Sequence, residues 1–168
     1  MTAPEALDPE PLLRFLHERG VVHIIIGGVA VAAHGYARPT KDLDIVPVAD
    51  RENLTRLAAA LAQINAIPAD SGDFASDEFP VDATDVDDLA RGANFRLDTD
   101  LGPLDVMQWV CGVDADDLYV ELDRAALAFT LDDIPLRYCG LADLRAMKAA
   151  AGRPRDLDDL EHLPAPAP

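Results

Sequence analysis

The sequence predicts an α/β (α+β) fold in a single domain, a sheet flanked by helices, on three observations. The β-branched run Val21-Val22-His23-Ile24-Ile25-Ile26 stops at Gly27-Gly28 and leads into the small-residue segment Val29–His34, a strand followed by a short helix. Asp42-Leu43-Asp44-Ile45-Val46 alternates acidic and apolar residues, so as a strand it puts Asp42 and Asp44 on one face and Leu43 and Ile45 on the other. Leu141, Leu144, Lys148 and Ala151 recur at spacings of three and four, as on a helix that buries one face. A chain of 168 residues is long enough for one sizeable core.

The elements follow in order. Residues 1–11 are proline-rich and acidic and read as a flexible lead-in. Leu12, Leu13, Phe15 and Leu16 mark a short amphipathic helix that ends at Gly20. After the strand–glycine–helix unit, Gly35, Arg38 and Pro39 break the pattern, and Pro47 limits pairing of the second strand. Asp50 caps a helix running to about Asn65, with Leu54, Leu57, Ala58 and Leu61 on its apolar face. Pro68 to Asp88 reads as an exposed acidic loop, with a helical turn at Val86–Arg91. Two alternating runs, Phe95–Asp98 and Leu104–Trp109, flank turn formers and predict a β-hairpin. Leu104, Val106 and Gln108 share one of its faces; Asp105, Met107 and Trp109 share the other. A helix is expected over Asp114–Arg124 and a short strand over Ile134–Tyr138. Gly152 ends the helix 141–151, and Pro154 suits the first turn of a last helix, where Asp156, Asp158 and Asp159 favour the positive end of the dipole. The domain then spans 12–162, and 163–168 is a flexible tail.

Hydrophobic residues make up 49% of the chain, the share of an ordinary soluble protein, and the formal net charge is −17. That balance argues against an extended nucleic-acid footprint, which needs clustered Lys and Arg, but not against one small triphosphate. The acidic N-terminus lacks the basic residues of a signal peptide, and the longest apolar run is too short to cross a bilayer. A cytoplasmic protein with no membrane partner is expected. Cys111 and Cys139 form no C-x-x-C pair and read as two buried thiols.

Candidate chemistry centres on carboxylates. Asp-x-Asp occurs at Asp42/Asp44, Asp85/Asp87, Asp98/Asp100, Asp114/Asp116 and Asp156/Asp158, and only the first continues into an apolar strand. Gly27-Gly28 lets backbone amides approach a phosphate, although the Walker and dinucleotide patterns are both missing. Asp105, between Leu104 and Val106, adds a third strand carboxylate, and three such groups suit Mg²⁺. The two lysines are Lys41, which points away from the acids, and Lys148, which must find a counter-charge or snorkel outwards; a bound triphosphate or a site carboxylate would serve. Arg38 and Thr40 either touch substrate or shape the turn. Arg145, Arg153 and Arg155 could form a local basic patch. His34 reads as a structural hydrogen-bonding group and His23 as packed.

These residues carry a resemblance. Gly27, Gly28, Ala30, His34, Gly35, Arg38, Thr40, Asp42, Leu43 and Asp44, and later Leu141, Leu144, Lys148, Ala149, Ala150, Arg153, Asp156 and Asp159, stand at the spacing of two motifs of the nucleotidyltransferase (DNA polymerase β-like) superfamily. Residues 20–162 are most similar to its small bacterial AbiEii-type toxins and related minimal proteins. The resemblance implies a nucleotidyltransferase fold, a small mixed β-sheet flanked by helices with the C-terminal helices packed on the core. It implies Asp42, Asp44 and Asp105 as catalytic metal ligands for Mg²⁺, with up to two ions and Mn²⁺ as a substitute. Gly27, Gly28, Arg38, Thr40 and Lys148 would bind the NTP, and Asp105 would help deprotonate the acceptor. The implied reaction moves an NMP to a hydroxyl of tRNA, protein or a small molecule, as in the toxin of a toxin–antitoxin pair whose partner is an antitoxin protein. Two rivals are a catalytically silent binding partner of the same fold and a metal-dependent phosphohydrolase.

Overall fold

In a computed structural model of the chain, which describes residues 6–69 and 81–165, the most apolar strands lie at the centre of one mixed sheet. They are β1 (His23–Ile26) and β2 (Leu43–Pro47), antiparallel from the His23–Pro47 pair to the Ile26–Asp44 pair. Ile24, Ile25, Leu43 and Ile45 are fully buried: β1 buries residues on both faces, and β2 is covered on the face opposite Asp44. The remaining strands are β3 (Ile67–Pro68), β4 (Phe95–Asp98), β5 (Leu104–Val106), β6 (Leu127–Leu131) and β7 (Ile134–Tyr138). β5 runs parallel to β2, and β7 runs parallel to β1. The β3–β4, β4–β5 and β6–β7 pairs are antiparallel, so the order across the sheet is β3-β4-β5-β2-β1-β7-β6. The class is therefore mixed α/β, as the sequence predicts.

Seven helices are described: α1 (Glu10–Glu18), α2 (Gly27–Ala33), α3 (Arg51–Gln63), α4 (Val86–Leu89), α5 (Leu118–Asp123), α6 (Leu141–Ala151) and α7 (Pro154–His162). α2 and α5 pack on β1 and β2, and α6 packs on both α2 and α7. Asp50 caps α3 by accepting the Asn53 N–H at 2.8 Å. Asn53 in turn ties α3 to the sheet: its Oδ1 accepts from the Val22 N–H at 2.7 Å, and its Nδ2 donates to the Val22 and Val48 carbonyls at 2.8 and 2.9 Å. Gly152 ends α6 at φ +61°, the left-handed cap that glycine adopts without strain. No described helix is long and apolar enough to cross a membrane.

Several expectations need correction. The lead-in is shorter than residues 1–11: α1 starts at Glu10, Pro11 fits its first turn, and the Leu7 N–H donates to the Thr40 carbonyl. At the other end the tail begins later, since Leu163 is buried. α2 includes both glycines instead of following them. α5 is shorter than Asp114–Arg124 because Asp117 caps it, accepting from the Val120 N–H. The turn after Asp85 closes at Leu89 rather than at Arg91. The segment expected as a loop from Pro68 begins as a strand, because Ile67 and Pro68 pair with Asp98 and Leu97; residues 70–80 of that stretch lie outside the described residues. β6 was not expected at all. It is the sheet edge, its residues are mostly exposed, and it turns into β7 through Asp132 at φ +53°. Cys139 is buried as expected, but Cys111 is exposed.

Candidate functional site

The sheet register assembles the acids. Asp44 sits opposite Ile26 on β1 and, on its other side, in parallel register with Asp105 of β5. Neighbouring strands lie about 4.8 Å apart, so residues in register leave the same face side by side. Asp42 lies one residue before β2, its carbonyl accepting from the Thr40 hydroxyl at 3.3 Å. Gly27 has φ +67°, and a Cβ there would overlap the Asp44 carboxylate. A Cβ on Gly28 would press on the Thr40 hydroxyl. Both glycines are thus needed for close packing at the acids, where a phosphate-binding backbone would also have to lie. Gly27, Gly28, Arg38, Thr40, Asp42, Asp44, Asp105 and Lys148, the residues singled out from the sequence, all line one open cleft of about 480 Å³.

The acids are electrostatically strained. Burial, then the charges of Asp42 and Asp105, push the Asp44 carboxyl up from the ordinary 3.8 to about 7, with Lys148 and Arg153 pulling the other way. Burial and Asp42 also raise Asp105, opposed by Arg96, whose Nε lies 3.3 Å from its Oδ2. Arg96 reaches it because the two residues are paired across the β4–β5 hairpin.

Lys148 and Arg38 are held differently from the sequence expectation. The Lys148 counter-charges are Asp156 at 3.0 Å and Asp159 at 2.9 Å, both supplied by α7 rather than by the strand acids. Arg38 grips Asp159 with two nitrogens, Nη2 at 2.6 Å from Oδ2 and Nε against Oδ1. Arg153 closes the set on Asp156 through Nε at 2.6 Å. Asp156 and Asp159 are almost fully buried, which by itself would raise their carboxyls. Arg153 and Lys148 at Asp156, and Arg38 and Lys148 at Asp159, outweigh burial and hold both below the ordinary range. Two of these three cations, Lys148 and Arg153, also act on the Asp44 carboxyl.

Asp156 and Asp159 therefore act as buried ion-pair partners, beyond any role at the helix dipole. Thr40, through Asp42 and Leu7, shapes the turn. Of the expected basic patch, Arg153 and Arg155 line the cleft, and Arg155 donates to the Pro39 carbonyl. Arg145 does not join them, because its guanidinium donates to the carbonyls of Leu160, Leu163 and Pro164. His34 is structural, its Nε2 2.8 Å from the Cys139 carbonyl oxygen. The sequence reading missed Arg96, Met147 and Trp109 as cleft residues; the alternation that put Trp109 on the face of Asp105 was the available signal.

Among the described residues no group of three or more acid, thiol or imidazole side chains is placed to hold a metal ion, so Asp42, Asp44 and Asp105 do not converge as a three-carboxylate set in this structure. An open set of carboxylate oxygens still suits Mg²⁺, which binds through one or two carboxylates and leaves its other positions to water and substrate phosphate. Asp44, its charge disfavoured by burial and then by its acid neighbours, is the kind of ligand a cation would relieve. Compared with known proteins, the chain matches no family model and no curated protein.

Proposed function

We propose that the protein is a Mg²⁺-dependent nucleotidyltransferase of the nucleotidyltransferase fold, moving an NMP from an NTP to a hydroxyl acceptor. The observation that carries this reading is the in-register pair Asp44–Asp105, with Asp42 beside it, against the glycine turn at the start of α2. Asp42, Asp44 and Asp105 are the residues that would hold Mg²⁺, whose chemistry there is neutralisation of charge on the phosphate oxygens. Gly27 and Gly28 line the cleft beside the acids, where their backbone N–H groups would meet the triphosphate. Asp105 would also help take the proton from the acceptor hydroxyl. Lys148 and Arg153 contribute positive charge near Asp44 without leaving their carboxylate partners. Pyrophosphate leaves, and the acceptor keeps the NMP.

The test is incubation with α-labelled NTPs, Mg²⁺ and candidate acceptors: tRNA, protein (the chain itself included) and small hydroxylated molecules. Labelled acceptor together with pyrophosphate, both lost in Asp44→Ala, is the expected result. Phosphate release without a labelled acceptor would make the protein a phosphohydrolase. Mg²⁺-NTP binding with no turnover on any acceptor would make it a silent binding partner.

A further inference from the structure

The cleft has a second wall that the acids do not use. Beyond β5 the Met107 N–H still donates to the Ile45 carbonyl at 2.8 Å, and the chain then bends at Gln108. Asp105, Met107 and Trp109 line the cleft, while Gln108 turns the other way and donates to the Leu89 and Ala93 carbonyls at 2.8 and 2.9 Å. Asn94 pins the backbone beneath the indole. Its Oδ1 accepts from the N–H groups of Gln108 and Trp109 at 2.7 and 3.2 Å, and its Nδ2 donates to the Trp109 carbonyl at 3.0 Å. On this fixed backbone the Trp109 side chain takes no part in the packed core and is 59% exposed. A large aromatic usually buries most of its surface, so a pinned and bare one has a face to offer.

We infer that Trp109 is the base-binding residue of the cleft, its indole stacking on the nucleobase of the NTP while the triphosphate lies toward Asp42, Asp44 and Asp105. The inference rests on the reading of this cleft as an NTP site. Asp105 and Trp109 are four residues apart along a chain that bends at Gln108, a separation of at most roughly 13 Å at about 3.3 Å per residue. That separation leaves room for a sugar between phosphates at the acids and a base at the ring. Every base presents a flat π-face, so a stacking platform tolerates all of them. The polar contacts that would tell one base from another are not needed for this mode of binding.

Trp109 is the chain's single tryptophan, so its fluorescence reports on this position alone. The experiment titrates the full chain, in Mg²⁺, with each of the four NTPs and with inorganic tripolyphosphate, following binding separately by calorimetry. All four NTPs are expected to change the Trp109 emission, whereas tripolyphosphate binds without changing it. Trp109→Ala should weaken NTP binding roughly 5- to 150-fold, the range for loss of one base–aromatic stack. Tripolyphosphate affinity and melting temperature should stay as they are, and Trp109→Phe should recover most of the loss. If the NTPs bind in an Asp44-dependent way with unchanged emission and with full affinity in Trp109→Ala, the stacking role is overturned and the NTP site survives. If no NTP binds the wild type, the NTP site and the stacking role fall together.

Discussion

Asp44→Asn should make the protein more stable while removing the proposed metal and nucleotide binding. Asp44 is held protonated up to about pH 7, whereas the unfolded chain releases that proton near 3.8. Between those values the native state binds more protons than the unfolded state, so stability falls as pH rises. A rise from 3.8 to about 7 is worth roughly 4 kcal/mol at about 1.36 kcal/mol per unit, an upper bound reached above pH 7. Asparagine keeps the size and cannot ionise. Urea or thermal melts of both proteins across pH 4 to 8.5, with chelator present, measure the difference. The expected gain is nil near pH 4, grows through pH 6, and levels off above pH 7 at about 2–4 kcal/mol. Mg²⁺ with an NTP should then raise the melting temperature of the wild type and leave the variant unmoved. A variant no more stable than wild type at pH 8, or a gain that ignores pH, would refute the electrostatic reasoning.

Three further outcomes can be checked. Gly27→Ala and Gly20→Ala share φ +67°, but only at Gly27 does the new methyl meet a carboxylate. Both should lose about 1–2 kcal/mol for the left-handed backbone, and Gly27→Ala alone should also lose Mg²⁺-NTP binding by calorimetry. Asp159→Ala strips Lys148 and Arg38 of a shared buried partner and should cost about 3–5 kcal/mol in urea melts at pH 7. Because the Asp159 carboxyl is held below its ordinary range, the stability it contributes is present above pH 4 and lost below it, so the variant's acid limb should be flatter. Asn53→Ala leaves the Val22 N–H and two carbonyls without their amide partner, and should lower stability by about 2–3 kcal/mol with NTP affinity intact.

The elements legible in the sequence are those whose signal is local. β1 and β2 declare themselves by apolar and alternating runs, α3 by Asp50 and its leucine face, and the β4–β5 hairpin by two alternating segments around a turn. β3 and β6 are illegible for a shared reason: each is a strand by virtue of its partner, β4 or β7, and their mostly exposed side chains carry no burial pattern. Local spacing also could not show that Cys111 reaches solvent while Cys139 does not.

For the site, the sequence by itself determined the candidate groups: Asp44 on an apolar strand with Asp42 just before it, a third aspartate on the hairpin, the glycine pair, and a lysine on a helix face that needs a counter-charge. Only the tertiary structure decided how those charges are shared. Register, a long-range property, set Asp44 beside Asp105, and with burial it carried the Asp44 carboxyl to about 7. The packing of α7 on α6 took Asp156 and Asp159 out of water and made them, rather than the strand acids, the partners of Lys148. An aspartate near a helix start can be solvated, a dipole partner or a buried ion-pair partner with the same local sequence. Its surroundings choose among these, because the cost of removing its charge from water is met only when cations arrive from elsewhere in the fold.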